Sequence, residues 1–243
     1  MPAELLIGGA IIFLGALVQG TVGFGLALTT VPILLLVLPH QMIPPVLVVV
    51  GVVNNLFVLA DTWRSIRFKE IVPLIIGGVI CLPIGAWLLK NLDFSLFKIG
   101  VGVIVLTAAV AMLRGWKLKL RPDWWRIAPV GMLSGILGGA TALSGPPVIL
   151  YFAGKDEDKQ SFRGNLIAYF TLLNIASVIT FWLSGLMPLE VWKTAGLYTI
   201  PLVIGSAVGL WIARRVSERI FRLAVLALII CIGLSLIVTN LRF

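Results

Sequence analysis

The 243-residue chain is short of charge, of acid and of reactive side chains. Charged residues make up 12% of it, against about a quarter in a typical soluble domain. Only 10 are acidic. A soluble fold of this length would have too little polar material to cover its surface. One histidine and two cysteines are present. With no CxxC pair and no His/Cys cluster, they leave nothing with the spacing of a metal site. Cys81 and Cys231 lie inside apolar stretches, and His40 sits in a short loop. No metal, no cofactor and no catalytic residue is expected.

What is there is apolar. Hydrophobic residues reach 60% and the mean hydropathy is +1.10. No Asp, Glu, Lys or Arg occurs in residues 5–60, 71–89, 99–113, 127–154, 164–189, 194–213 or 223–241. Charge-free apolar runs of about 18 residues or more read as membrane spans, so the chain is an all-α polytopic membrane protein. The net charge of +9 does not point to nucleic acid, because basic residues confined to short loops between spans are what the positive-inside bias produces. No basic region precedes Leu5 and no cleavage site follows, so no removable signal peptide is expected.

The sequence repeats. Asn55–Trp63 falls on Asn174–Trp182 at an offset of 119, and Gly85-Ala86-Trp87 on Gly209-Leu210-Trp211 at 124. Phe97-Lys98 falls on Phe221-Arg222, also at 124, and Val31-Pro32-Ile33-Leu34 resembles Pro146-Pro147-Val148-Ile149 at 115. Their common order argues for a duplication of the kind frequent in transporters. Each half opens on a long Gly-rich apolar segment and continues with three ordinary spans. The first repeat is assigned to residues 1–115, a basic linker to 116–126, and the second repeat to 127–243.

Each opening segment should be broken. Residues 5–38 as one helix would run about 51 Å, against a hydrocarbon core of about 30 Å. The segment is interrupted at Gly20-Thr21-Val22-Gly23-Phe24-Gly25. Residues 127–154 are interrupted from Gly138-Gly139 to Gly145-Pro146-Pro147, a poor continuous helix. If each broken segment crosses once, the basic residues divide 10 to 9 between the two faces. If each returns as a re-entrant hairpin, the loops at 61–70, 114–126, 154–163 and 213–222 share one face. That face then carries 15 basic residues and the other only Lys90, Lys98, Lys193 and Arg242. The second arrangement gives a clear orientation. It puts the basic face in the cytoplasm, both termini outside, and the two repeats in inverted topology, each a re-entrant hairpin plus three transmembrane helices. A parallel eight-span duplication is the alternative.

Polar side chains inside a membrane tend to mark a pathway. In the broken segments they include Gln19, Thr21, Thr141 and Ser144; in the span after each hairpin, Asn55 and its repeat partner Asn174. Gly20, Gly23, Gly25, Gly139 and Gly145 would let a ligand approach bare backbone. Free N–H groups at a restarting helix favour an anion. The competing reading is packing: small residues also line tight helix contacts, and an intramembrane Asn often bonds across helices. Arg163, at the start of the span after the second hairpin, is the basic residue best placed to meet an anion, though it also fits a topology anchor. Trp63, Trp87, Trp182 and Trp211 lie near span ends and suit an aromatic belt.

No Asp, Glu, Lys or His lies inside a span to relay protons or hold sodium. An exported anion needs no such coupling, because an inside-negative potential drives each negative charge outward by about 2.3 kcal/mol per 100 mV. The residues therefore point to a uniporting or channel-like exporter of a small anion, with membrane lipid around it and a homo-oligomer as a possible assembly. The alternatives are a proton-coupled permease for another small organic anion and, with less support, a membrane-embedded enzyme acting on lipid phosphates. A cation or metal transporter would want carboxylates or His/Cys ligands in the spans.

Gln19-Gly20-Thr21-Val22-Gly23-Phe24-Gly25 running to Val31-Pro32-Ile33-Leu34, with Gly138-Gly139 to Gly145-Pro146-Pro147-Val148 and Tyr151, resembles the sulfite exporter TauE/SafE family. The resemblance covers nearly the whole chain. It implies transport of sulfite, sulfonates such as sulfoacetate and related sulfur-containing anions across the cytoplasmic (inner) membrane, with the two Gly-rich breaks as the substrate site. The chain departs from the denser glycine cluster often seen at those breaks. Phe24 in particular would narrow or shape the pocket.

Overall fold

A computed structural model describes residues 2–121, 123–155, 158–213 and 215. The expected last span at 223–241, with Cys231, the Phe221-Arg222 match and Arg214, Arg219, Arg222 and Arg242, lies outside the described residues. Those described form α-helices and short connections: α1 (Pro2–Val22), α2 (Leu26–Leu34), α3 (Ile43–Thr62), α4 (Phe68–Asn91), α5 (Phe94–Leu113), α6 (Trp124–Thr141), α7 (Gly145–Ala153), α8 (Lys159–Leu183) and α9 (Leu189–Ala213). Segments of α1, α3, α4, α5, α8 and α9 are each long and apolar enough to cross a membrane. The chain is a polytopic, all-helical membrane protein.

The outside of the bundle is apolar, as lipid requires. Ile76, Ile80, Ile84 and Trp87 form an exposed stripe along α4, and Leu172, Ile175, Ile179 and Trp182 another along α8. Trp63, Trp87, Trp182 and Trp211 are all exposed near helix ends, where amphipathic rings suit the lipid headgroup level.

Both opening segments fold back on themselves. At about 1.5 Å per residue, α1 spans about 31 Å and α2 only about 13 Å, so α2 is too short to cross by itself. It runs back along α1: Gly25 lies beside Val18, and Gly15 lies beside Leu26 and Thr30. The turn between them is built by Gly23 (φ 91°) and Gly25 (φ 108°), both left-handed, where glycine escapes the Cβ penalty. The second segment turns at Ala142, also left-handed at φ 63°. Gly23 and Ala142, the helix ends Val22 and Thr141, and the restarts Leu26 and Gly145 are each 119 residues apart, the offset that relates Asn55 to Asn174. The 115 offset for Val31–Leu34 is therefore not the structural register, which sets Val31 against Leu150. Proline misled the comparison: Pro32 lies inside α2, whereas Pro146 and Pro147 form the first turn of α7.

Helix pairs are set by glycine. On α4 and α6, Gly77, Gly85, Gly131, Gly135 and Gly139 leave no room for a Cβ; at Gly139 it would sit 2.6 Å from the Leu82 carbonyl oxygen. The contacts run in one direction, Leu74 beside Gly131 and Gly85 beside Gly139. Helices α1 and α9 pair in the same way, Phe13 beside Gly205 and Leu17 beside Gly209. Helices α3 and α8 run in opposite senses, with Gly51 beside Asn174 and Arg67 beside Asn165. Gly138 and Gly139 thus lie inside α6, where the sequence suggested a break. A membrane helix tolerates glycine where a neighbour packs closely against it. Helix α6 also begins at Trp124, within the segment expected as linker.

Candidate functional site

The two turns converge on a cavity of about 50 Å³ between α3 and α8. Seven of the residues singled out from sequence line it: Gln19, Phe24, Gly25, Asn55, Ser144, Gly145 and Asn174. They come from four helices and both turns. The remaining wall is Leu26, Ala27 and Leu28 at the start of α2, Leu47, Val48 and Gly51 on α3, Ala142 and Leu143 in the second turn, Ile149 on α7, and Phe170 on α8. Sequence reasoning missed these. Gly51 and Phe170 were the findable pair, since they stand one turn before Asn55 and Asn174 and hence on the same helix face.

Hydrogen-bond donors reach the cavity from backbone and amides. Helix α2 has Gly25 as its N-cap with no side-chain cap, and its first internal bond runs from the Thr29 N–H to the Gly25 carbonyl at 3.0 Å. The N–H groups of Leu26, Ala27 and Leu28 therefore have no partner within the helix, and all three residues line the cavity. The other restart is poorer. Pro146 and Pro147 have no N–H to give, Ser144 makes no side-chain cap, and the Leu143 N–H is taken by Thr141 Oγ1 at 3.2 Å. Donor supply is thus greatest on the α2 side.

Gln19 Nε2 donates to Asn55 Oδ1 at 2.6 Å, with the residues only 4% and 1% exposed. This bond ties α1 to α3 and leaves Asn55 Nδ2 without a partner among the described residues. Asn174 likewise has no hydrogen bond among the described residues. Gly51 makes room for it, since a Cβ there would lie 2.5 Å from Asn174 Nδ2. The second turn is held from behind: the Tyr169 hydroxyl donates to Ser134 Oγ at 2.8 Å, and Ser134 Oγ donates to the Ser144 carbonyl at 2.6 Å. Among the described residues no charged side chain and no histidine lines the cavity.

Six of the sequence candidates lie elsewhere. Gly20 and Gly139 sit in the α1–α9 and α4–α6 contacts. Thr21 Oγ1 donates to the Leu17 carbonyl at 2.8 Å and the Gly209 carbonyl at 3.1 Å, tying α1 to α9. Thr141 Oγ1 donates to the Leu137 carbonyl at 2.8 Å. Gly23 shapes its turn and faces Arg163, whose Cγ would be 2.6 Å from a Cβ there. Arg163 Nη2 donates to the Gly20 carbonyl at 2.8 Å, so its charge compensates the C-terminal end of α1 and it is not on the cavity wall. Its nearness to the first turn was legible in neither spacing nor composition.

Two further features lie away from this centre. A larger cavity, about 440 Å³, lies among α5, α6 and α7. Its wall is almost wholly aliphatic and prolyl; the Thr107 hydroxyl donates to the Val103 and Ile104 carbonyls of its own helix, so the Trp116 indole N–H is the one side-chain donor left among the described lining residues. At the end where α3 begins, His40 packs between the rings of Phe94 and Phe97, with centroids 5.4 and 5.2 Å away. Burial holds its pKa below the ordinary 6.5, partly opposed by a hydrogen bond to the Leu92 backbone.

Comparison with known proteins follows the same line. The family described as "Sulfite exporter TauE/SafE" matches residues 8–236. The "Probable sulfite/organosulfonate exporter TauE" of Cupriavidus necator is 25% identical over 247 residues, covering 97% of this chain and 96% of that one. No solved structure matches.

Proposed function

The chain belongs to the sulfite exporter TauE/SafE family of membrane transporters, and we propose that it exports small sulfur-containing anions, sulfite or an organosulfonate such as sulfoacetate, across the cytoplasmic membrane. Its members are exporters and not enzymes. The observation that carries the substrate class is the chemistry of the cavity shared by the two turns: uncharged donors and, among the described residues, no carboxylate. An oxyanion gains most where preorganised N–H groups meet it out of water. The free N–H groups at the start of α2, with the amides of Asn55 and Asn174, supply such donors from two sides.

The driving force we infer is the membrane potential or the anion's own gradient. An inside-negative potential favours outward movement by about 2.3 kcal/mol per charge per 100 mV. No side chain that titrates near neutrality stands among the described lining residues to bind a coupling proton.

Residues 1–115 and 127–243 are read as inverted repeats. The same-direction pairs α1/α9 and α4/α6, with α3 opposed to α8, are what that symmetry requires. Several basic connections meet at one end of the bundle: Lys155 Nζ donates to Glu70, the Arg67 N–H to Asn165 Oδ1 at 2.8 Å, and the Leu118 N–H to the Leu150 carbonyl at 2.9 Å. By the positive-inside bias this end is the cytoplasmic one, with the 116–126 linker there and the termini outside. Purified protein warmed with sulfite, sulfoacetate, phosphate and divalent metals tests the substrate class. Sulfur oxyanions should raise the unfolding temperature; stabilisation by metals alone would overturn the reading.

A further inference from the structure

We infer that Phe170 sets the length of the anion this transporter accepts, an inference that rests on the sulfur-anion reading of the same cavity. At about 50 Å³, against the roughly 10–15 Å³ that one water needs on the same measure, the space holds only a few water-sized groups. It suits a compact trioxyanion better than a sulfonate with a carbon tail. Something on its wall has to decide how much tail is admitted.

The wall is uneven in a way the repeat exposes. At an offset of 119, Gly51 on α3 corresponds to Phe170 on α8, so one wall is bare where its counterpart carries a ring. The bare position is fixed: a side chain on Gly51 would run into the Asn174 amide. The filled position is free to change. Phe170 is 8% exposed, and its Cζ lies 3.7 Å from where a Cβ on Gly145 would stand. The ring tip therefore covers the start of α7, the end of the cavity poor in donors. The donors at the start of α2 and the Gln19–Asn55 bond involve other residues. Shortening Phe170 would extend the cavity toward α7 while leaving the oxyanion donors in place. Phe24, the other aromatic on the wall, lacks this independence because its backbone is held between two left-handed glycines.

The test uses the purified full chain and a homologous series of sulfite, methanesulfonate, ethanesulfonate and butanesulfonate, with affinity read from thermal shifts. The readout is the ratio of butanesulfonate to sulfite affinity within each protein, which is unaffected by any general loss of stability. In the wild type affinity should fall along the series. In Phe170→Ala the ratio should rise at least tenfold, the lower end of what one methylene contributes in an apolar pocket. Phe170→Leu should give an intermediate ratio. An unchanged ratio in Phe170→Ala, with the wild type still responding to sulfite, overturns the role of Phe170 alone. A wild type that responds to no member of the series overturns the transport reading, and this inference with it.

Discussion

Asn55→Ala probes the junction of structure and function most closely. The substitution removes the acceptor of the 2.6 Å bond from Gln19 Nε2 and leaves that amide buried with its residue only 4% exposed. Stranding a buried donor costs about 1–3 kcal/mol; in membrane proteins measured interhelical bonds average about 0.6 kcal/mol, because the unfolded state finds other partners. A loss of about 1 kcal/mol is the balanced expectation. Gln19→Ala should lose a similar amount, and the double variant should lose little more than either. The coupling energy would then be about 0.5–1 kcal/mol, above the scatter of roughly 0.3–0.5 kcal/mol for independent sites. Sulfite affinity should fall about tenfold in Asn55→Ala, since its Nδ2 donor is lost as well and about 1.4 kcal/mol corresponds to that factor. Unfolding of the purified variants in detergent, with and without sulfite, measures both quantities. Additive stability losses would refute the α1–α3 tie, and an unchanged sulfite response would remove Asn55 from the site.

The other predictions follow from the same contacts. Gly135→Ala drives a methyl into the Gly78 backbone and should destabilise by about 1–3 kcal/mol as an overpacked interface; Gly196→Ala, on α9 with nothing near, should be neutral or mildly stabilising in a thermal melt. Gly23→Ala places an L-residue in the left-handed region, at about 1–2 kcal/mol, and displaces Arg163, so both stability and flux should drop. Because burial holds the folded-state pKa of His40 below 6.5, the unfolded chain takes up its proton first as pH falls. The stability this residue contributes is complete above about pH 6.5 and lost below it as the folded form also titrates. Melts of the wild type and His40→Gln from pH 7.5 to 5 should show a shallower decline in the variant. Reporter fusions should place residue 40 outside the cell and residue 158 inside; the same side for both would refute the hairpin topology.

Much of this was legible because membrane physics is written in composition. Charge-free runs located the described spans, and the count of basic residues favoured a returning segment over a crossing one. Asn55 and Asn174 stood out because an amide in an apolar helix has few reasons to be there. Glycine was the ambiguous letter: Gly25 and Gly145 line the cavity, while Gly20 and Gly139 hold helices together, and the same residue type serves both close approaches. The second break was drawn too wide for that reason: the turn lies at 142–144, and Gly139 stays helical against α4, a partner far away in sequence. Phe170, an apolar residue in an apolar helix, was legible only through its place one turn before Asn174, and the 119 register then set it opposite Gly51.

On the proposed mechanism, the small cavity between the two turns carries a sulfur oxyanion down the membrane potential. Its most direct test is efflux of radiolabelled sulfite from proteoliposomes holding the purified protein, with potential and proton gradient clamped independently. Efflux should rise with an inside-negative potential, ignore the proton gradient, and be sharply reduced in the Gln19→Ala/Asn55→Ala protein. Efflux that follows the proton gradient at zero potential, or that is unchanged in the double variant, would contradict it.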